Sequence, residues 1–479
     1  MFLNTAFLKL HKMPFLMALS SLMFYGAFAY DLLRTDYIKL LLLYAALFFL
    51  FYKLVQYFKG NIKLLTWLAF VFRAVFILAI PNLSQDFYRF IWDGRLLLEG
   101  INPYLHTVEA LMRNAEPPVA QAQVLYEGMG ALNASHFSNY PPLNQFCFAL
   151  AAFFSGKSIL GAVVAMRLLI IAADFGTLYF GKRLLKKLKL PAYHMFWYIL
   201  NPFIVIELTG NLHFEGVMIF FLIWSLYLMH IGKWQFAAIV LGLSVSVKLI
   251  PLLFLPLFYQ WFVSKKNDYE FPEQVQDNRK KIATSCTPRN DVQKGIKQLL
   301  SFYSITMITV ILLFLPFYST EFIINYAKTV GLWFSNFEFN ASIYYVARAI
   351  GYAFRGYNEI EIIGPVLSVV VILFVLMLTF FRKNKTTSQL ITSMLLFLSF
   401  YFFVATTVHP WYIATILALS VFTRYKFVFV WSFVIVLSYL AYLNADSADK
   451  SENLWIIAIE YAIVYGVFVW EVFIKKSRS

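Results

Sequence analysis

A polar stretch between two apolar runs, Ser84 to Tyr104, carries the residues best suited to chemistry. Asp86 directly follows an apolar run, and a carboxylate in that position could act as a general base toward a hydroxyl group. A nearby bilayer would raise the pKa of Asp86, whereas Arg89 or Arg95 would lower it. The alternative interpretation is structural: Asp86 caps a helix, and Asp93 pairs with Arg89 one helical turn away.

Further ionisable residues interrupt apolar runs later in the chain at His213, Glu215 and Lys248. Such residues inside apolar membrane segments are costly and often functional. His213 and Glu215 are two positions apart, so they would not share a helix face, but a turn could direct both into a cavity. Alternatively, Glu215 hydrogen-bonds within its loop, and Lys248 extends its amine to the lipid head groups.

His409 begins the sequence His409-Pro-Trp-Tyr412, for which two interpretations are open. The imidazole could bind a phosphate or orient an acceptor, or the segment could be an aromatic anchor at the membrane surface. His213 and His409 could also form a metal pair. No third ligand is evident, and zinc sites usually have three or four, so we predict no cofactor and keep a divalent metal as the alternative.

The composition indicates where these residues act. The chain has 479 residues, of which 61% are hydrophobic and 14% are charged. Apolar runs long enough to cross a bilayer recur along it, and helices satisfy their own backbone groups in lipid. The sequence therefore predicts an all-α, polytopic transmembrane helical bundle of about 12–14 spans, with a long outer loop that bears interfacial helices.

The formal net charge of +15 comes largely from Lys and Arg residues between the apolar runs. There they indicate topology, so we predict membrane lipids as partners and no nucleic acid. Their distribution places both termini in the cytoplasm and the protein in a cell (inner) membrane, as a multi-pass protein. It gathers most of the candidate residues on the outer face, namely Asp86, Asp93, His213, Glu215, Lys248 and His409.

The same reasoning divides the chain into parts. We expect N-terminal spans in 1–83, an outer loop with interfacial helices in 84–158, a transmembrane bundle in 159–263, a cytoplasmic polar loop in 264–298 and a C-terminal bundle in 299–479. Within the outer loop, Pro141 to Phe154 is too short to cross a bilayer and is predicted to be an interfacial helix. The C-terminal bundle includes an outer aromatic segment, 318–357.

These motifs occur in an order that resembles a known family. The run from Asp86 to Arg95, followed by Gly100-Ile-Asn-Pro-Tyr104, is similar to the first outer loop of the GT-C superfamily of membrane glycosyltransferases. The further elements follow in order: Tyr140-Pro-Pro-Leu143, Asn211-Leu-His-Phe-Glu-Gly216, Lys248-Leu-Ile-Pro251 and His409-Pro-Trp-Tyr412. More narrowly, the set resembles bacterial polyprenyl-phosphomannose-dependent mannosyltransferases, similar to glycosyltransferase family 87.

The resemblance implies an inverting transfer of a sugar, mannose in the narrower family, from a polyprenyl-phosphate donor. The acceptor would be a hydroxyl of a glycan or glycolipid on the outer side of the membrane. Asp86 matches the catalytic aspartate and would deprotonate that hydroxyl. The residues expected to bind donor or substrate are Arg89, Asp93, Arg95, Tyr140, His213, Glu215, Lys248, Arg348 and His409. The cations among them could hold the donor phosphate.

Other functions fit the same residues. A transporter or lipid flippase also buries ionisable residues near broken helices, although usually near the midplane and within paired repeats. A ligase or polymerase that uses a lipid-linked oligosaccharide would share the outer site. The aromatic residues from Trp333 to Arg348 could stack on sugars, grip a polyprenyl chain, or form a membrane-surface helix.

Overall fold

The computed structural model describes residues 12–263, 288–335, 337–444 and 452–475. Within these ranges the chain consists of helices and their connections, and the β contact is an isolated parallel bridge between Phe339 and Thr407. This confirms the predicted all-α fold. Most of the predicted cytoplasmic loop, 264–287, lies outside the described residues, and the next helix already begins at Pro288.

Seven helices of the described part are long and apolar enough to cross a membrane. A further pair passes the same test together but is bent by 115° between Gly210 and Glu215. The protein is therefore a multi-pass helical membrane protein. The seven candidate spans are Lys12–Tyr30, Tyr37–Phe58, Ile159–Lys187, Val292–Phe317, Ile360–Phe381, Thr387–Val404 and Leu454–Ile474, and the bent pair is Pro202–Gly210 with Glu215–His230.

Several other apolar segments form helices too short to cross alone, which accounts for the larger predicted count of about 12–14 spans. These segments are Pro142–Ser155, Trp234–Val245, Ile250–Val263, Pro410–Ser420 and Phe427–Leu440. The more polar helices are Asp86–Leu98, Val108–Met112, Ala122–Ala134, Thr320–Ser335 and Ile343–Arg355. The last two form most of the outer aromatic segment predicted at 318–357.

The last helix of the predicted N-terminal spans is also shorter than a bilayer crossing requires. Its helix, Ile62–Ala74, has 13 residues. Near its end, the buried Arg73 guanidinium forms an ion pair of 2.7 Å with Asp174 and donates a hydrogen bond of 2.8 Å to the carbonyl of Ile199. The charged residue is thus neutralised inside the bundle, and the chain turns there instead of continuing as a long helix.

The helices of residues 84–158, the segment predicted to be an outer loop, pack closely on one another. Asp86–Leu98 lies against Pro142–Ser155, where Phe90 and Phe148 stack at 4.5 Å. A β-carbon at Gly94 would lie 2.3 Å from the carbonyl oxygen of Phe148, so only glycine permits this approach. The segment predicted to be a short interfacial helix therefore forms a 14-residue helix that holds the Asp86 helix in place.

The bend between Gly210 and Glu215 is fixed by a buried arginine. Arg167 donates to the carbonyl oxygens of Thr209 and Gly210 at 2.8 and 2.9 Å, so these end groups have a partner inside the bundle. The side-chain oxygen of Asn211 accepts from the backbone N–H of Leu83 at 3.2 Å, which brings the bend beside the Asp86 segment.

Lys248, which interrupts an apolar run in the sequence, lies at a break between two helices. The helix from Trp234 ends at Val245, and a 3-10 helix begins at Ile250. In the gap, the carbonyl oxygen of Ser246 accepts from the backbone N–H of Leu143 at 2.9 Å. This bond joins the break to the start of the Pro142–Ser155 helix, which packs on the Asp86 helix.

Candidate active site

Asp86 is the first residue of its helix rather than its cap. Gln85 occupies the cap position without a side-chain hydrogen bond, so the capping interpretation of Asp86 is wrong. The backbone N–H of Asp86 donates to the hydroxyl of Ser84 at 3.3 Å. The Asp86 side chain is partly exposed, and within the described residues no hydrogen bond occupies its carboxylate oxygens. Those oxygens are free to accept a proton.

The surroundings of Asp86 favour its neutral form. Burial raises the pKa of the Asp86 carboxyl from 3.8 to about 6, the positive charges of Lys248 and Arg34 oppose that rise, and the negative charge of Glu215 adds to it. Desolvation thus outweighs the nearby cations. A carboxylate with a pKa close to neutrality is a better proton acceptor than an ordinary aspartate.

Lys248 and Glu215 form the ion pair beside Asp86. The Nζ of Lys248 lies 3.1 Å from Oε1 of Glu215, and the same amine lies 5.2 Å from the centre of the Tyr140 ring. Glu215 is fully buried, whereas the Lys248 side chain is 22% exposed. The structure therefore brings together four predicted residues from four separate parts of the chain: Asp86, Tyr140, Glu215 and Lys248.

The two predicted histidines flank one indole. His213 stacks on Trp411 with ring centres 3.8 Å apart, and His409 stacks on Trp411 at 4.6 Å. Phe339 extends the stack, with its ring 5.0 Å from that of His409. Burial, together with the positive charges of Lys248 and Arg34, lowers the pKa of His409 to about 3. His409 is therefore neutral at physiological pH.

Two charged residues near this site escaped the sequence analysis. Glu207 lies in a π-helical turn, Val205–Gly210, accepts from the hydroxyl of Tyr439 at 2.7 Å, and lies 3.9 Å from Nε2 of His213. Its signal was a lone carboxylate inside an apolar run. Arg34, from the first short loop, acts on the pKa of both Asp86 and His409. It offered no comparable signal, because a basic residue in a loop is common.

Arg89 and Asp93 pair as the helical spacing predicted. The Nε of Arg89 lies 2.8 Å from Oδ1 of Asp93, and both side chains are buried. Asp93 Oδ2 accepts from the hydroxyl of Ser138 at 2.6 Å and from the amide of Gln145 at 2.8 Å. Arg89 also donates to the backbone carbonyls of Asn133 and His136 at 3.0 Å each. This network holds the segment from Asn133 to Gln145 against the Asp86 helix.

Arg95 and Arg348 make their contacts elsewhere. Arg95 donates to the side-chain oxygen of Gln121 at 3.2 Å and to the carbonyl of Lys157 at 2.9 Å. Arg348 forms an ion pair with Glu338 and lies over the Tyr345 ring at 4.3 Å. Neither contact involves the residues around Asp86. Their predicted role in donor binding stays a prediction.

Within the described residues, no three His, Cys, Asp or Glu side chains come together in a group that could hold a metal ion. The candidate active site offers several ionisable side-chain groups. They are a carboxylate with a raised pKa, a partly exposed ammonium, and neutral imidazoles. Such a set can take a proton from a hydroxyl and stabilise an anion nearby.

Comparison with known proteins finds a similar mannosyltransferase. The chain is 22% identical over 192 residues to alpha-(1->6)-mannopyranosyltransferase A of Mycobacterium tuberculosis (strain ATCC 25618 / H37Rv). The matched part covers 40% of this chain and 35% of that protein, so the chain spans about a third of the length of the curated relative.

A family model covers more of the chain. It is described as alpha-(1->6)-mannopyranosyltransferase, N-terminal domain, and it matches residues 15–264, more than half of the sequence. The match includes Asp86, Tyr140, Glu215 and Lys248, and it confirms the resemblance stated from the motifs. The chain therefore belongs to the alpha-(1->6)-mannopyranosyltransferase family.

Proposed function

We propose that the protein is a membrane mannosyltransferase that moves mannose from a polyprenyl-phosphate donor to a hydroxyl of a glycan or glycolipid. The observation that carries this proposal is the placement of Asp86. Its carboxylate has a raised pKa, no hydrogen bond within the described residues, and the Lys248 ammonium among its neighbours. A base beside an anion-binding group is what transfer from a sugar phosphate to an alcohol requires.

The proposed reaction is a single inverting displacement. The acceptor hydroxyl gives its proton to the Asp86 carboxylate as its oxygen forms a bond to the anomeric carbon. The bond between that carbon and the phosphate oxygen breaks, and the polyprenyl phosphate leaves with the electron pair. Neutral Asp86 then returns its proton to water. The relative's name points to an α-linked product, and inversion would form it from a β-linked mannosyl phosphate.

The leaving phosphate is assigned to Lys248. Its amine is partly exposed, and its pairing with Glu215 at 3.1 Å holds it beside Tyr140. An ammonium fixed in this way can stabilise the charge that develops on the departing phosphate. Glu215 has a positioning role, because it keeps the lysine chain in place from a fully buried position.

The reaction is proposed to occur on the outer side of the membrane. The support is the distribution of Lys and Arg between the apolar runs, which is the usual determinant of topology. The test uses sealed vesicles of known orientation and an acceptor that cannot cross the bilayer. Product in right-side-out vesicles supports this orientation, and product only in inside-out vesicles contradicts it.

The activity itself is tested with purified protein in liposomes and a panel of polyprenyl-phosphate sugars. We expect transfer from the mannosyl donor and an inverted anomeric configuration in the product, as determined by NMR. The matched control is Asp86→Asn, which should insert and fold but give no product. Retention of configuration would overturn the mechanism, and donor translocation without any glycosidic product would favour a flippase.

A further inference from the structure

A basic cavity lies at the far end of the long Ile159–Lys187 helix. Its volume is about 440 Å³, within the range of small-molecule sites. It is lined by Tyr179, Lys182, Arg183, Lys186, Leu190 and Ala192. The lining thus combines three cations with apolar and aromatic groups.

This cavity is distant from the candidate active site along the same helix. Arg167 contacts the bend at Thr209 and Gly210, which carries His213 and Glu215 toward Asp86. Arg183 follows Arg167 by 16 positions, which corresponds to roughly 24 Å of helix. The cavity therefore lies near the opposite end of the span, the end that the charge distribution assigns to the cytoplasm.

The cations of the cavity lack acidic partners in the described part of the chain. None of Lys182, Arg183 and Lys186 forms an ion pair with a carboxylate there. The guanidinium of Arg183 lies over the Tyr179 ring at 4.1 Å, which fixes its direction. Concave, oriented positive charge without a counter-charge favours an anionic ligand.

The helix face that leads to the cavity is apolar and exposed. Leu168, Phe175 and Tyr179 are 51%, 57% and 41% exposed and lie at helical spacing, and Arg183 and Lys186 continue the same face. The face therefore changes from apolar to basic toward the end of the span. A lipid would match this face, with its acyl chain beside the apolar part and its phosphate at the basic part. A soluble anion would contact only the basic part.

We propose that this cavity binds the phosphate head group of an anionic phospholipid of the cytoplasmic leaflet, whose acyl chains lie along Leu168 and Phe175. Basic pockets at the ends of transmembrane helices are suited to such head groups. The site is separate from the one proposed for the sugar donor, and its occupant belongs to the bilayer that surrounds the protein.

The test is native mass spectrometry of the full chain with phosphatidylglycerol or phosphatidylcholine. The double variant Arg183→Gln, Lys186→Gln should lower the affinity for phosphatidylglycerol by about tenfold or more. Each basic residue near an anionic head group adds to the binding free energy, and this variant removes two of them. The matched control is Lys187→Gln with Lys189→Gln, which removes the same charge from exposed positions outside the lining. We expect less than about a twofold change there.

Two outcomes would overturn the proposal. An equal loss of affinity in both double variants would mean that the lipid responds to overall charge and not to the cavity. Binding of inorganic phosphate that depends on Arg183 and Lys186, without preference for phosphatidylglycerol over phosphatidylcholine, would identify a site for free anions. If the double variant fails to fold, the preference of the wild-type protein between the two lipids and its competition by inorganic phosphate still decide the question.

Discussion

Two pairs of a cation and a carboxylate, one on the Asp86 helix and one beside it, differ in their surroundings. In the Arg89–Asp93 pair, both carboxylate oxygens are bonded, and Arg89 also reaches two backbone carbonyls. In the Lys248–Glu215 pair, the carboxylate has no hydrogen-bonded partner among the described residues beyond the ion-pair contact, and the lysine is partly exposed. A pair whose carboxylate oxygens are both bonded and whose guanidinium joins other segments holds the fold together. A pair whose carboxylate lacks further hydrogen bonds and whose lysine is partly exposed can respond to a ligand.

The largest expected effect concerns Asp86, the proposed base beside the Lys248–Glu215 pair. Asp86→Asn should lower kcat by about 10²–10⁴-fold, because the amide cannot accept the acceptor's proton. Stability should not fall. Between pH 3.8 and about 6 the folded protein binds the Asp86 proton more tightly than the unfolded chain, so wild-type stability declines as pH rises through that window. The asparagine variant avoids that decline.

The checks are steady-state transfer kinetics and thermal unfolding of the purified variant. Glu109→Gln is the matched control, since it converts an exposed carboxylate, paired with Arg113, to an amide. It should leave both measurements unchanged. Wild-type turnover by the Asp86 variant would remove Asp86 from the mechanism.

Of the two pairs, Arg89–Asp93 should contribute most to the stability of the fold. Arg89→Met leaves Asp93 buried without its cation, and breaking a buried pair in this way costs about 3–5 kcal/mol. We expect a marked fall in the unfolding temperature, with residual transfer in whatever protein remains folded. Arg89→Lys should recover part of the stability, because it restores the charge but not the three-donor geometry. An Arg89→Met protein that is fully stable but inactive would instead place Arg89 in donor binding.

The Lys248–Glu215 pair should affect the pH dependence of transfer activity. Activity should rise with pH as Asp86 ionises near pH 6, because the base must be deprotonated. Lys248 lowers the pKa of Asp86, so Lys248→Met should shift this rise to higher pH. Glu215 raises it, so Glu215→Gln should shift the rise to lower pH. Profiles of kcat/KM measure both shifts, and movement of the two variants in the same direction would contradict the arrangement.

The smallest effect is expected at Arg348. Its ion pair with Glu338 and its contact with Tyr345 lie among the residues of the aromatic segment. Arg348→Gln should change kcat/KM by less than about tenfold, and the unfolding free energy by about 1 kcal/mol or less, as for other partly exposed pairs. A large rise in KM for the donor would show that Arg348 reaches the phosphate after all.

The sequence was most informative where a charged residue interrupts an apolar run. Lys248 and Glu215 both interrupt apolar runs, and the structure has a break between helices at Lys248 and a bend just before Glu215. The pairing of Arg89 with Asp93 followed from helical spacing. These features depend on local rules, so a single sequence contains enough information to predict them.

Other features depend on contacts between distant parts of the chain. The helix at Ile62–Ala74 ends early, and the partner of its Arg73 is Asp174, a hundred residues away. The approach of Glu207 to His213 requires the π-helical turn, which the apolar sequence of that run does not reveal. Periodicity and charge counting contain no information about such pairings.

The indole of Trp411 has a consequence for how the protein could be divided. One of its histidine neighbours, His213, lies within the region 15–264 matched by the family, and the other, His409, lies well beyond it. Phe339, on a third segment, continues the same stack. The boundary of the matched region is thus not a boundary of the site. A chimera that exchanged the N-terminal region between relatives would have to preserve the stacking of Trp411 on His213 and His409. Substitutions at this contact in one region are therefore expected to require matching substitutions in the other.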